Sequence, residues 1–190
     1  MSKNVSKSLR IITLAPFMAS LLFIILFVTK PNSFANTLHL FFAFMFIVIL
    51  PLLAYPISYL VPKIKVKGRS GQRKLAIILS VVGYIFGFVF ALITDAPSLE
   101  KIIYLTYLLS GVFMAVLNFG FKIKSSGHSC GISGPIICLS FLVSWWYVFG
   151  YLVLVIVAFA SFQLKSHDTK EVIIGSFLPV IAFIISNIIF

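Results

Sequence analysis

Two of the four acidic residues in this 190-residue chain lie within four positions of a histidine. The segment runs from His167 through Asp168 to Glu171, and side chains four residues apart on a helix share one face. A carboxylate beside an imidazole fixes the tautomer of the ring and raises its basicity, as a nucleophile or a general base requires. A structural alternative stands beside this one, because Asp168 and Glu171 would also complement the dipole at a helix N-terminus.

A second segment combines basic, hydroxyl and glycine residues immediately before an apolar run. Its centre reads Lys124-Ser125-Ser126-Gly127-His128. Backbone N–H groups at a helix N-terminus, left accessible by small residues, bind anions, and the imidazole of His128 would lie inside such a site. The alternative is an ordinary polar loop that ends in a serine helix cap.

A third segment is a loop of residues 63–74 that is dense in Lys and Arg. In one interpretation it is a phosphate clamp. In the other it sets the membrane topology and contacts anionic lipid head groups.

The overall composition indicates the setting of these residues. Hydrophobic residues make up 61% of the chain and charged residues only 10%, and the mean hydropathy is +1.16. Soluble domains contain about 45–50% apolar and about 25% charged residues. The composition therefore argues against a soluble globular protein, a disordered chain and a secreted disulfide scaffold. It favours an integral membrane protein that forms one domain over residues 1–190.

Seven apolar stretches approach the roughly 20 residues that a membrane-spanning helix needs. They are residues 11–29, 37–61, 75–94, 101–121, 131–147, 149–164 and 172–190. Lipid cannot hydrogen-bond an open backbone, so we predict an all-α, polytopic transmembrane bundle. The fifth and sixth stretches together are interrupted only by Gly150, shortly after Trp145-Trp146-Tyr147, and the prediction is therefore six to seven helices.

If these helices cross the membrane in turn, all but two of the 15 basic residues fall on one side. The two exceptions are Lys30 and Lys101. The positive-inside rule then places the N-terminus and all three polar segments in the cytoplasm. Three unrelated loops would have no need to share one side, so the arrangement favours a common site.

The remaining candidates for chemistry carry less weight. Cys130 and Cys138 are eight residues apart without further metal-type ligands, so neither a metal site nor a disulfide framework is predicted. No phosphate-loop or dinucleotide motif is present, and no cofactor is predicted. His39, on the opposite side, is expected at the membrane interface. A nucleic-acid partner is disfavoured, because the basic residues occupy short loops beside lipid.

Taken together, these segments resemble the type-2 phosphatidic acid phosphatase superfamily of membrane phosphatases. That family has three motifs: Lys-x6-Arg-Pro, then Pro-Ser-Gly-His, then Ser-Arg-x5-His-x3-Asp. The third is similar to residues 160–171, and the second is similar to residues 125–128. The stretch 124–135 also resembles a prokaryotic branch, in which a lysine precedes Ser-Gly-His and Gly-Pro follows. The resemblance covers roughly residues 40–190.

The chain departs from the family pattern at four points. Ser161 stands where the third motif has arginine, Glu171 where it has aspartate, and Ser125 where the second motif has proline. The first motif is degraded, since no lysine lies seven residues before Arg73 and no proline follows it. Loss of the arginine removes a bidentate phosphate contact, for which Lys165 or basic residues of the 62–74 loop could compensate only in part.

The resemblance implies a phosphatase-like core over residues 37–190, with the first helix, 11–29, peripheral to it. It implies metal-independent hydrolysis of a phosphomonoester or diphosphate of a lipid in a prokaryotic cell membrane. His167 would be the nucleophile that forms a phosphohistidine, Glu171 would orient it, and His128 would act as acid and then as base. The implied substrate-binding residues are Lys65, Lys67, Arg73, Lys124, Ser126, Gly127 and Lys165.

Several alternatives stay open at this level. Polyprenyl diphosphate, phosphatidic acid and phosphatidylglycerol phosphate all present a phosphate at the membrane surface. A related phosphotransferase would pass the group to a second lipid instead of water. A non-enzymatic membrane protein with a decayed site would explain Ser161 and the degraded first motif, but not the survival of His128, His167 and Glu171.

Overall fold

The computed structural model describes residues 3–164 and 166–190, and these residues form helices with no β-strand among them. We number the helices in chain order as α1 Lys3–Ile12, α2 Ala15–Thr29, α3 Thr37–Leu60, α4 Gly68–Ile93, α5 Ser98–Gly120, α6 Gly127–Leu142, α7 Trp145–Gln163 and α8 Thr169–Ile189. Single helical turns, Pro31–Ser33 and Pro62–Lys65, lie in two of the connections.

Five of these helices, α3, α4, α5, α7 and α8, are long and apolar enough to cross a membrane. Asn4–Ile12 and Ala15–Thr29 together make a sixth span if they count as one helix bent by 49°. The apolar helix α6 has only 16 residues and is not counted among the spans. Large apolar side chains such as Leu152 and Phe159 point outward, as a surface facing hydrocarbon requires. The all-helical architecture predicted for a multi-pass membrane protein is confirmed, with five or six spans against the six to seven predicted.

The break between the fifth and sixth predicted stretches does not lie at Gly150. Helix α6 ends at Leu142, because the N–H groups of Val143 and Ser144 both donate to the carbonyl of Leu139 and Ser144 is extended. Gly150 instead lies in the 3-10 turn that opens α7, where a Cβ would come within 3.1 Å of the Ile136 side chain. The glycine therefore serves close packing of α7 on α6.

Helix α2 packs into the main apolar core of the bundle. Ala19, Leu22, Phe23 and Leu26 are fully buried in the same cluster as residues of α3, α5, α6 and α8. The predicted stretch 11–29 is not one straight helix, since it bends before α2, where Pro16 occupies the first turn without needing an N–H partner.

Helices α6 and α8 begin side by side and run parallel. The N–H of Ser126 donates to the carbonyl of Glu171 at 2.9 Å, and the hydroxyl of Ser133 donates to the carbonyl of Ser176 at 2.7 Å. Gly175 makes this approach possible, because a Cβ there would lie 2.4 Å from the Ser126 carbonyl oxygen. The close contact brings the second and third polar segments together.

We expect Gly175→Ala to destabilise the protein by about 1–3 kcal/mol, the usual cost of inserting a methyl group into packed structure. The opposing atom is backbone oxygen, which cannot swing away as a side chain could. Thermal unfolding in detergent measures the effect. Gly120→Ala is the matched control, since its nearest neighbour would be a Val116 methyl group at 4.0 Å. Equal melting temperatures for the two variants would contradict the expectation.

Candidate active site

The polar segments meet at the end of the bundle where α4, α6 and α8 begin and where α1 and α5 end. We call this end the site end. Arg73 of α4 contacts Ser125 before α6, Ser126 contacts Glu171 of α8, and Arg10 of α1 contacts His128 of α6. The three polar segments, which the sequence placed on one side of the bundle, are therefore joined to one another and to α1 by direct contacts.

Glu171 bridges a histidine and a lysine at the centre of the site end. Its Oε2 lies 2.5 Å from Nδ1 of His167, and its Oε1 accepts a hydrogen bond from Nζ of Lys124 at 2.5 Å. The side chains of His167 and Glu171 are each only 11% exposed, whereas that of Lys124 is 50% exposed. His167 and Glu171 are in contact as predicted, but they do not share a helical face, because α8 begins at Thr169 and His167 lies before its extended cap residue Asp168. The contact also includes a cation from the second segment, Lys124.

One acid of this cluster also has the structural role that was the alternative, at the N-terminus of a helix, and that acid is Asp168. The carboxylate of Asp168 caps α8 by accepting the N–H of Glu171 at 2.8 Å. Asp168 therefore begins the helix, and that leaves the Glu171 carboxylate to contact His167 and Lys124. The two acids divide the roles that the sequence could not separate.

Ser126 positions the start of α6. Its hydroxyl accepts the N–H of Ser129 at 3.3 Å and the hydroxyl of Ser129 at 3.0 Å. The first N–H groups of a helix have no partner within it, and here they belong to Gly127 and His128. The cap expected as the ordinary alternative is therefore present, and it leaves the N–H groups of Gly127 and His128 without a partner inside α6.

His128 faces the N-terminal helix. Its Nε2 donates to the backbone carbonyl of Arg10 at 2.6 Å, so the ring proton lies on Nε2 in this arrangement. The pKa of His128 is lowered to about 4, mainly by burial. The hydrogen bond to the Arg10 carbonyl opposes this shift, and the nearby charges of Arg10 and His167 contribute to it. His128 is therefore neutral at pH 7 in this structure.

Arg73 closes the other flank of the site end. Its Nη2 donates to Oδ1 of Asn118 and to the carbonyl of Ser125, both at 2.6 Å. Nδ2 of Asn118 donates in turn to the hydroxyl of Ser125 at 2.8 Å. These groups border an open cleft of about 320 Å³ whose lining is rich in cations: Ser70, Arg73, Lys74, Ile77, Asn118, Phe119, Lys122 and Lys124.

The structure does not bring every predicted ligand to this place. Lys65 and Lys67 are exposed, and within residues 3–164 and 166–190 no hydrogen bond or ion pair joins them to His167, Glu171 or His128. Lys165 lies outside the described residues.

Three residues at the site end were missed by the sequence interpretation. Arg10 was counted only as a topology-setting charge, Asn118 was hidden in an apolar stretch, and Ser166 was passed over between Lys165 and His167. Asn118 carried a usable signal, because a polar side chain near the end of a spanning helix is uncommon and often functional. Arg10 carried none, since its place depends on how α1 docks.

A second histidine–carboxylate pair lies at the opposite end of the bundle. His39 was expected at the membrane interface, but its Nδ1 lies 2.9 Å and 3.0 Å from the two carboxylate oxygens of Glu100, and both side chains are buried. The N–H of Ala35 also donates to Glu100 at 3.2 Å. The pair joins α3 to the start of α5, and the hydrogen bond from Ala35 adds the connection before α3. These contacts lie at the end of the bundle opposite to His167.

Burial lowers the pKa of His167, and the nearby charges of Lys124 and Arg10 act in the same direction, while Glu171 opposes them. A histidine ordinarily titrates near pH 6.5. We therefore expect the His167 ring to protonate below that pH and to be neutral, with a free ring lone pair, at pH 7. Histidine NMR titration in detergent measures this, with His167→Ala to assign the signal. A midpoint above 6.5 would contradict it.

Comparison of the chain with protein-family models, with curated proteins and with solved structures gave no match. The class of protein is therefore defined by the fold and the site alone. The chain is an all-helical protein with five helices able to span a membrane, and one end of its bundle joins two histidines, a bridging glutamate and several cations.

Proposed function

We propose that this protein is an integral membrane lipid phosphatase that hydrolyses a phosphomonoester or a diphosphate through a phosphohistidine on His167. The observation that supports this most is the Glu171 carboxylate, which holds His167 on one oxygen and Lys124 on the other. It combines an oriented imidazole with a cation beside the accessible N-terminus of α6.

The geometry suits His167 for nucleophilic attack. Because Glu171 engages Nδ1, the proton of the neutral ring lies there and the lone pair lies on Nε2. Nε2 forms the bond to phosphorus while the bond from phosphorus to the leaving oxygen breaks. The ring becomes positively charged in this step, and the Glu171 carboxylate stabilises that charge.

His128 is the proton donor and acceptor in this proposal. A bound phosphate places negative charge beside its ring and raises its pKa, so that it takes up a proton. The ring then transfers a proton to the leaving oxygen. In the second step neutral His128 removes a proton from water, the water oxygen bonds to phosphorus, and the bond from phosphorus to His167 breaks. For these transfers, Nε2–H leaves the Arg10 carbonyl that it now contacts.

Charge on the transferring phosphoryl group requires cations and N–H donors more than it requires further covalent chemistry. Lys124 is half-exposed beside Glu171, Arg73 borders the cationic cleft, and the N–H groups of Gly127 and His128 point out of α6. These groups supply the phosphate site without a metal ion in our proposal.

The membrane setting favours a lipid as the substrate. An apolar cavity of about 250 Å³ lies between α2, α6 and α7, bordered by Met18, Pro135 and Val153 among others. Pro135 is eight residues along α6 from Gly127, which corresponds to about 12 Å at the helical rise. We place the apolar tail along this side of α6, with the phosphate at the site end.

Phosphate release from a panel of lipids tests the proposal. Polyprenyl diphosphate, phosphatidic acid and phosphatidylglycerol phosphate would each be incubated with the protein in detergent and EDTA, with His167→Ala as the blank. We expect release from at least one lipid, and equal release with and without an added lipid alcohol acceptor. No release from any of them by the wild-type protein would contradict the proposal, and transfer to the acceptor would identify a phosphotransferase instead.

We further propose that the site end faces the cytoplasm, because the basic residues gather there and the positive-inside rule then applies. Inside-out membrane vesicles should release phosphate from an added short-chain substrate that cannot cross the bilayer. Sealed right-side-out vesicles should release it only after detergent is added, and the reverse order would overturn this orientation.

A further inference from the structure

The last turn of α1 reaches into the site end through Arg10. Nη1 of Arg10 donates to the hydroxyl of Ser166 at 2.6 Å, and the Arg10 carbonyl accepts Nε2–H of His128 at 2.6 Å. Arg10 is thus in contact with His128 and with Ser166, the residue that precedes His167.

The guanidinium of Arg10 lies one hydroxyl group away from position 161. The hydroxyl of Ser166 donates to the Ser161 carbonyl at 3.0 Å, and the N–H of Ser166 donates to the same oxygen at 3.1 Å. Ser161 itself is 2% exposed and carries no charge. The position where the resembled motif has an arginine is therefore neutral in this chain, but a guanidinium from another helix lies beside it.

Arg10 has unused capacity to bind an anion. Its Nε is buried without a hydrogen-bond partner among the described residues, and none of the ion pairs found there includes it. A buried N–H without an acceptor is unfavourable, and the cost is larger for a charged group. The planar guanidinium carries five N–H donors in a fork that matches two oxygens of a phosphate.

We propose that Arg10 binds the phosphoryl group of the substrate, so that α1 supplies from outside the core the guanidinium that position 161 lacks. This inference rests on the proposed function for its substrate. It makes α1 a part of the active site and gives Arg10 the role of a phosphate ligand beside His167 and His128.

The docking of α1 is defined at both of its ends. Near its start, the hydroxyl of Ser6 donates to Oε1 of Gln163 at 2.9 Å. After its end, Ala15 lies against Gly131 of α6, where a Cβ would come within 2.2 Å of the Ala15 Cβ. The helix is therefore held against α7 and α6, with Arg10 between the two contacts.

The charge of Arg10 also acts on the nucleophile. Burial lowers the pKa of His167 most, and Lys124 and Arg10 lower it further. Removing the positive charge at position 10 should therefore raise the pKa of His167. If Arg10 only docked α1 and its charge did not act on His167, the pKa of His167 would stay unchanged.

The test compares Arg10→Gln, Arg10→Lys and Arg10→Ala with two controls in the full-length protein in detergent. The controls are Ser8→Ala, at an exposed position of the same helix, and Lys30→Gln, which removes one charge at the far end. We expect kcat/KM for lipid phosphate to fall about 100-fold in Arg10→Gln, the loss typical of one transition-state donor, and to stay within about threefold in the controls. Arg10→Lys should recover only part of the loss, because ammonium lacks the fork.

Two further measurements separate binding from helix docking. Millimolar guanidinium ion should restore part of the turnover of Arg10→Ala, whereas the same concentration of methylammonium should not. The NMR midpoint of His167 should rise in Arg10→Gln. Turnover of Arg10→Gln close to wild type, or a loss that guanidinium does not rescue and that leaves the His167 midpoint unchanged, would overturn the proposal.

Orthovanadate binding distinguishes failure of this inference from failure of the proposed function. If the wild-type protein hydrolyses no lipid phosphate, the proposed function fails. The role of Arg10 is then tested by the Kd of the wild-type protein and of Arg10→Gln for orthovanadate, measured through thermal stabilisation. A Kd at least tenfold weaker in Arg10→Gln supports Arg10 as an oxyanion ligand. Equal Kd values, or no binding by either protein, overturn it.

Discussion

His167→Ala is expected to reduce phosphate release to the background rate, a loss of at least about 10⁴-fold in kcat. The variant has no ring nitrogen to form the phosphohistidine, and water would have to attack phosphorus without the group that Glu171 orients at 2.5 Å. The remaining cations would still bind phosphate, so the loss should appear in kcat and not in KM. Release of inorganic phosphate from the best lipid of the panel measures it.

The control for this variant is Lys170→Ala, which removes an exposed side chain from the first turn of α8 and should keep its activity. Gel filtration and thermal unfolding in detergent would show whether His167→Ala keeps its fold. We expect it to do so, because Glu171 retains Lys124 as a partner and Asp168 still caps α8. Turnover within tenfold of wild type in a folded His167→Ala protein would rule out the phosphohistidine mechanism.

His128→Ala is expected to slow turnover by about 10²–10⁴-fold, the range of a general acid and base, and to accumulate the phosphoenzyme. Hydrolysis of the intermediate needs a base for water. Formation of the intermediate depends less on the acid when the leaving group is already a good one. Nitrophenyl phosphate labelled with ³²P should therefore label the protein in this variant. The label should be acid-labile and stable to base, as a phosphorus–nitrogen bond is.

Two further variants show whether the His128 effect comes from proton transfer. His128→Asn keeps an N–H donor for the Arg10 carbonyl but cannot carry the proton, so it should behave like His128→Ala. The double variant His128→Ala with His167→Ala should take up no label. Wild-type turnover in His128→Asn would assign His128 to positioning Arg10 alone, and label in the double variant would place the phosphate on another residue.

Parts of this site could be predicted because they depend on short-range geometry. His167 and Glu171 meet since they are only four residues apart across the start of α8, and Ser126 caps α6 since its hydroxyl reaches the N–H three residues ahead. The all-helical architecture followed from apolar stretches in a chain that has 10% charged residues. Each of these depends only on neighbours along the chain.

Other parts depend on contacts between distant segments. Lys124 reaches Glu171 across 47 positions, and Arg10 reaches Ser166 across 156. The helix break at residues 143–144 also depends on packing, since Gly150 proved to be a contact point for Ile136 and not a helix end. A basic residue in a loop has the same local pattern whether it faces solvent, lipid or a site, so the pattern could not rank Lys65 and Lys67 below Arg73.

The sequence by itself determined the helical, membrane-type architecture, the pairing of His167 with Glu171 and the side of the bundle on which the basic residues gather. Hydrophobicity, helical periodicity and charge placement are properties of neighbouring residues, and the chain displays them directly. Only the tertiary structure decided which cations meet the acid. It joined Lys124 to Glu171, placed Arg73 against Ser125, brought Arg10 to Ser166 from a helix that the motif pattern does not contain, and left Lys65 and Lys67 exposed. The physical reason is that contacts between residues far apart in the sequence depend on how the helices pack, and Gly175 and Gly131 allow the close approaches of α8 and of Ala15 to the start of α6.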